Sequence, residues 1–190
     1  MVWLGAVLGL RWGEVAGLRV GHVDPLRKTV TVAEQVTRGT GGAGVMGPPK
    51  SAAAHRTISI PTELADELSA HMKMRGLTGA DPEEFLFPNT EGGPLDYSNW
   101  RRRIWEPAVK AADLEGLNFH DLRRTNATAM VAEGVDVKTA QARLGHSDPR
   151  LTLAIYAQAT TEGDRSAAQK LGARLMKAAE LNIDDEASKL

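Results

Sequence analysis

The sequence contains no cysteine. Disulfides and thiolate metal sites are therefore excluded, and a reducing cytoplasm is the simplest compartment to expect. Aromatic residues make up only 5%, with two tyrosines in the whole chain, so each tyrosine is conspicuous. No apolar run approaches the length of a transmembrane helix. Met1 to Leu10 is apolar but lacks the basic leader of a secretory signal. An excess of basic charge is also missing: 23 basic residues meet 24 acidic ones for a formal net charge of -1, which argues mildly against a nucleic-acid partner. Basic residues could still be gathered on one face. Arg101-Arg102-Arg103 is the densest basic run, while Asp184-Asp185-Glu186 lies in the tail.

What remains is ordinary for a globular domain. The 190 residues suffice for one domain with a real core, and the 42% hydrophobic share is typical of such a core. Residues 2–10 read as a buried helix broken at Gly9, and residues 12–18 as a second short helix. Beyond Arg19 the apolar period shifts toward two. Val20, Val23, the run from Thr29 to Val32, and Val36 predict two strands turning at Asp24-Pro25. Residues 37–49 are rich in glycine and proline and read as a loop, without the spacing of a phosphate-binding P-loop. His55 to Pro61 predicts a third strand, and Thr62 to Arg75 an amphipathic helix with Thr62 as its N-cap.

After the apolar patch Phe85-Leu86-Phe87-Pro88, residues 97–112 predict a helix bearing the three arginines. Further helices follow over 119–133, 137–144 and 149–156. A last amphipathic helix is expected from Gly163 to Glu180, with Leu171, Leu175 and Ala178 on one side.

The chemistry concentrates between Asn118 and Tyr156. Five groups there can handle a phosphate: His120, Arg123, Arg124, His146 and Tyr156. His120 and Arg123 are three apart and share a helical face. Gly145 should end one helix just before His146, and Pro149 to Tyr156 should form the next. Two imidazoles, a guanidinium and a phenol gathered together can transfer a phosphoryl group without a metal.

These residues carry a resemblance to the tyrosine recombinases, or phage-type integrases. His120-Asp121-Leu122-Arg123-Arg124-Thr125-Asn126-Ala127-Thr128 resembles that family's H-x-L-R-R/H-T-x-A-T box. Leu144-Gly145-His146-Ser147 resembles its L-G-H-S box, with Tyr156 ten residues beyond the histidine. Upstream, the run from Leu10 to Leu18 resembles the G-L-R-x-x-E-x-x-x-L box. Lys50, lying ahead of Arg56-Thr57-Ile58-Ser59-Ile60-Pro61, resembles the lysine of the family's catalytic hairpin.

The resemblance implies an α+β, mainly α-helical domain with a small three-stranded antiparallel sheet at one edge. It covers residues 1–160, leaving residues 161–190 as a C-terminal helix and polar tail. It implies site-specific DNA recombination, integration or excision, through a 3′-phosphotyrosine intermediate, without cofactor or metal. The six catalytic positions would be Arg11, Lys50, His120, Arg123, His146 and Tyr156. Arg11 and Arg123 would grip the phosphate, and His146 would donate a hydrogen bond to it. His120 would act as base, Lys50 as acid for the 5′-oxygen, and Tyr156 as nucleophile. Arg101, Arg102, Arg103 and Arg124 are candidates for contact with DNA.

The implied partners are double-stranded DNA and further copies of the chain, a tetramer on DNA in the family, in a bacterial or phage-infected cytoplasm at the nucleoid. Each residue has an ordinary alternative. Arg11 could be a surface arginine paired with Glu14, Lys50 a solvated loop lysine, and Arg101 to Arg103 a solvated helix face. His120 could be a satisfied buried histidine, and Tyr156 a core tyrosine. Two other readings of the whole remain: an idle remnant that only binds DNA or a partner, and a type IB topoisomerase, against which the L-G-H-S box argues.

The resemblance also implies that an upstream core-binding domain, and the first helix of the catalytic domain, are absent from this chain. Apolar surface around Val2, Leu4 and Leu8 should then be uncovered. Self-association, or the C-terminal helix, would be expected to cover it.

Overall fold

The computed structural model describes residues 1–39, 44–157, 165, 168–170 and 172–173. The helix expected from Gly163 to Glu180 lies for the most part outside the described residues. The chain opens with two short helices, α1 (Val2–Leu8) and α2 (Trp12–Ala16). Gly9 separates them in the left-handed conformation (φ 67°), which a Cβ would strain. A Cβ there would also stand 2.7 Å from Asn126 Oδ1, so the glycine lets α1 end against the later helix α6 (Phe119–Ala132).

A three-stranded antiparallel sheet follows, in the order β1 (Val23–Asp24), β2 (Thr29–Val32), and the later strand β5 (Arg56–Ser59). Its register pairs Val30 with Ile58 and Val32 with Arg56. Val30, Val32 and Ile58 face the core, while Thr31 and Thr57 share a hydrogen bond on the outer face. The mainly helical α+β architecture expected from the sequence is thus present, with this sheet as expected.

Four local expectations need correction. Residues 37–49 are not simply a loop: β3 (Gln35–Arg38) and β4 (Gly44–Gly47) form an antiparallel hairpin. Glycine serves packing here as much as turning, since a Cβ on Gly44 would stand 2.6 Å from Leu95 O. Secondly, α3 (Thr62–Met74) is preceded by Pro61 as its N-cap. Thr62 lies inside the first turn, and its hydroxyl accepts from Lys28 Nζ at 2.8 Å.

Thirdly, the helix expected over residues 97–112 is divided. A π-helical stretch, Arg101–Trp105, joins α4 (Tyr97–Trp100) to α5 (Glu106–Ala111). Pro107 accounts for it, because proline has no N–H to give the ladder and crowds the carbonyl four residues back.

The fourth correction concerns α1. Leu4 and Leu8 are not uncovered; they are 1% and 0% exposed. Phe119 and Leu122 of α6 lie against Gly5. Val2 and Trp3 do face outward, at 48% and 61%, and Trp3 lines a groove of about 290 Å³ with Pro61 and Leu64.

Although aromatics are few, they are concentrated. Trp12, Trp100, Trp105 and Phe119 contact one another in series, with ring centroids 5.5–5.7 Å apart, and tie α2 to α4 and α6.

The last three described helices carry the candidate chemistry, and each has a defined start. At α6 (Phe119–Ala132), Asp121 takes a hydrogen bond from the Asn118 backbone. At α7 (Val137–Leu144), Asp136 caps Thr139 N. At α8 (Pro149–Tyr156), Asp148 caps Arg150 N behind a first-turn proline. Among the described residues no helix is long and apolar enough to cross a membrane.

Candidate active site

The site is assembled where α2 begins, α6 passes and α7 ends. Arg11 is the N-cap of α2, so its backbone is extended and its side chain stands clear of the helix. Its own N–H and its Nη1 both donate to Glu14, each at 2.9 Å. The ordinary pairing with Glu14 is therefore real, but Glu14 is no surface residue: it is 1% exposed. A carboxylate so buried must be paired.

The second partner is Arg56. It donates from Nη1 and Nη2 to the two Glu14 oxygens at 3.2 and 3.0 Å, a forked contact. Arg56 also donates to Arg143 O at 2.7 Å and to Ala54 O at 2.9 Å. Burial opposes the charge on Glu14, yet the hydrogen bonds and charges of Arg56 and Arg11 outweigh it and hold the carboxyl below its usual value.

Arg123 lies in the second turn of α6 and is 3% exposed. Its Nη1 donates to Gly9 O at 2.5 Å and its Nη2 to Leu144 O at 2.6 Å. It therefore stitches the end of α1 to the end of α7. A guanidinium has five N–H donors, and among the described residues these are the two hydrogen bonds that Arg123 makes. Burial, then the neighbouring Arg11, lowers its pKa to about 9, which leaves it charged at neutral pH.

His146 follows the left-handed Gly145 (φ 65°). A Cβ on Gly145 would meet Arg56 Nη1 at 2.8 Å, so the turn that presents His146 rests directly on the arginine. The His146 Nδ1 is 2.9 Å from the Thr152 hydroxyl. Burial, followed by the positive charges of Arg123, Arg11 and Arg56, pushes its pKa down to about 4, and the ring is neutral at pH 7. His120 stands exposed at the start of α6. Burial of part of its ring, then Arg123 and Arg11, lowers its pKa as well.

Arg11, His120, Arg123 and His146 thus share one electrostatic neighbourhood. Around His146 three guanidiniums, Arg11, Arg56 and Arg123, are set against the Glu14 carboxylate, and at His120 Arg124 and Asp121 add one charge of each sign. The surplus positive charge is what a phosphodiester would neutralise.

Two of the six expected positions make no hydrogen bond or ion pair with this cluster among the described residues. Lys50 is exposed and makes no side-chain hydrogen bond or ion pair among the described residues. The Tyr156 hydroxyl donates to Val135 O, beyond the far end of α6. The nine residue steps from Arg123 to Ala132 span roughly 13 Å of helix at ~1.5 Å per step. Burial, then Asp136, raises the tyrosine's pKa, the direction opposite to activation as a nucleophile.

Of the expected DNA contacts, Arg101, Arg102 and Arg103 are all exposed on the π-helical stretch, with Arg101 paired to Glu106 at 3.1 Å. Arg124 is exposed on α6, 3.8 Å from Asp121 and close enough to influence His120. Two participants, Arg56 and Thr152, were not singled out from the sequence, and Glu14 was foreseen only as a surface partner of Arg11. A signal for Arg56 was available, since the alternation Arg56, Ile58, Ile60 puts it on the inward face of its strand.

The architecture is that of a tyrosine-recombinase catalytic domain. It superposes on the Tn1549 transposon integrase in complex with transposon right end DNA, with a TM-score of 0.74 at 24% identity, covering 90% of this chain and 57% of that one. The catalytic domain of bacteriophage HP1 integrase matches with a TM-score of 0.51 at 22% identity, over 88% and 78% of the two chains. The defining pattern of the phage integrase family matches residues 1–162, and the chain belongs to that family.

Its relatives include the integrase of Mycobacterium phage L5, 32% identical over 85% of this chain and 43% of its own length. Tyrosine recombinase XerA of Thermococcus kodakarensis is 31% identical over 85% and 51%. The chain spans about half the length of the curated relatives it matches.

Proposed function

We propose that this chain is the catalytic part of a site-specific DNA recombinase that integrates or excises DNA in the cytoplasm. The observation that carries the reading is the cluster of Arg11, His120, Arg123 and His146 around a surplus of positive charge. Arg11 and Arg123 bind the non-bridging oxygens of the scissile phosphate, and His146 donates a hydrogen bond to one of them. The Tyr156 oxygen attacks phosphorus while its proton passes to His120. The bond from phosphorus to the 5′-oxygen breaks, and Lys50 protonates the departing oxygen. A 3′-phosphotyrosine and a free 5′-hydroxyl result. The phosphoester is retained, so a second 5′-hydroxyl can reverse the step on another strand.

For this chemistry Tyr156 must leave Val135 O and Lys50 must be carried in on its hairpin. DNA binding would supply both movements, with Arg101 to Arg103 and Arg124 on the duplex backbone and further copies of the chain alongside. The tethered tyrosine equally favours a second reading, a remnant that binds DNA or a partner without cutting.

Incubation with supercoiled plasmid in EDTA distinguishes them. An active chain relaxes the plasmid and leaves an SDS-stable protein–DNA adduct, and Tyr156→Phe loses both. Plasmid binding without any adduct from the unmutated chain would establish the second reading.

A further inference from the structure

Thr152 is completely buried in α8, one turn before Tyr156. Its hydroxyl lies 2.9 Å from His146 Nδ1 and has no other hydrogen-bond partner among the described residues. Helical threonines commonly bond back to the carbonyl four residues earlier. Thr125 and Thr128 of α6 do so, to Asp121 O at 3.0 Å and Arg124 O at 3.1 Å. Thr152 does not. A buried hydroxyl with a single neighbour places its proton on that neighbour, because an orphaned donor costs more than an idle lone pair. The His146 ring nitrogen is then the acceptor.

We propose that Thr152 is a positioning residue that donates to His146 Nδ1 and so fixes the imidazole in the tautomer whose proton sits on Nε2. The inference rests on the recombination chemistry proposed above, in which His146 donates to the phosphate. A neutral imidazole has one N–H, so a ring held neutral can serve as donor only if that proton is on the free nitrogen. The surroundings make this choice consequential: burial and the three neighbouring arginines keep the ring uncharged.

Gln141 completes the mounting from the backbone side. Its Nε2 donates to His146 O at 3.1 Å, and its own carbonyl accepts from His146 N at 3.2 Å. Thr152 and Tyr156 share α8, so the helix that carries the nucleophile also sets the proton of the phosphate donor.

The test combines a spectroscopic and a kinetic measurement on the full chain. Long-range proton–nitrogen spectra of ¹⁵N-histidine-labelled protein at pH 7, with His146 assigned from the His146→Gln variant, should show Nδ1 bare and Nε2 protonated. Thr152→Val should lose the Nδ1 hydrogen-bond shift and mix the tautomers, and Thr152→Ser should restore the unmutated pattern. The initial rate of SDS-stable adduct formation on supercoiled plasmid should fall roughly tenfold in Thr152→Val and recover in Thr152→Ser.

A protonated Nδ1 in the unmutated chain overturns the inference, as does a Thr152→Val variant with unchanged spectrum and rate. Should Thr152→Val fail to fold, the unmutated spectrum and the serine variant still decide. Absence of adduct from the unmutated chain would refute the proposed activity, while the nitrogen spectrum reports the tautomer independently.

Discussion

Replacing Glu14 by glutamine tests whether the arginine cluster depends on its one carboxylate. Four hydrogen bonds converge on Glu14. Arg11 Nη1 and Arg56 Nη1 reach Oε1, and Arg11 N and Arg56 Nη2 reach Oε2. A glutamine amide can present its oxygen to only one of these pairs. Whichever way it is turned, two donors then face an NH₂ group and their bonds are lost.

Two charge-assisted bonds, with a buried guanidinium left short of its counterion, amount to roughly 3–5 kcal/mol. For a chain of this size that lowers the melting temperature by roughly 6–20 °C. Urea unfolding followed by tryptophan fluorescence would measure it. The difference should also depend on pH. The carboxyl is held below its ordinary value of 4.5 in the fold. Its stabilisation is therefore complete above that value and is lost as pH falls through the lower folded value. The gap between the unmutated chain and Glu14→Gln should accordingly narrow below about pH 4. A difference under about 1 kcal/mol at neutral pH would refute the reasoning, since that is the scale of an exposed pair.

Three further outcomes are expected. The His146 imidazole, followed by NMR, should stay neutral from its ordinary 6.5 down to about pH 4. Because the unfolded chain takes up that proton and the fold refuses it, this group makes stability decline as pH falls across that window. Gly145→Ala should destabilise the chain by about 2–4 kcal/mol in urea unfolding, from the left-handed backbone and the approach to Arg56. Tyr156→Phe should abolish the plasmid adduct yet shift unfolding by less than about 1.5 kcal/mol, the scale of the single hydrogen bond to Val135 O.

Much of the architecture was legible because it is written in local signals. Gly9 and Gly145 end their helices in the left-handed conformation, Asp136 and Asp148 cap theirs, and alternating valines mark the strands. The hairpin of β3 and β4 was hidden because Gly44, read as part of a turn-rich loop, serves close packing against Leu95. The π-helical stretch was hidden because one proline alters the turn before it. Gathering Arg11 and Arg123 depended on Gly9, whose carbonyl accepts from an arginine 114 residues away. The Glu14–Arg56 pair spans 42 positions, and no periodicity reports a contact of that separation. Tyr156 was recognisable as a residue, but its attachment to Val135 is a matter of tertiary packing that spacing does not encode. Membership of the phage integrase family sets the topoisomerase reading aside.

The two bonds of Arg123 to Gly9 O and Leu144 O bear on how the ancestry of such a chain is judged. An arginine that splices α1 to α7 is retained by selection for folding, whether or not any phosphate is ever bound. The same holds for Glu14 and Arg56. Persistence of these three in a decayed prophage would therefore testify only to a folded product. Among the described residues the side chains of Lys50 and His120 make no hydrogen bond or ion pair, so under the proposed chemistry selection for strand cleavage is what would keep them. In a lineage released from recombination, those two should drift first, long before the arginines beneath them.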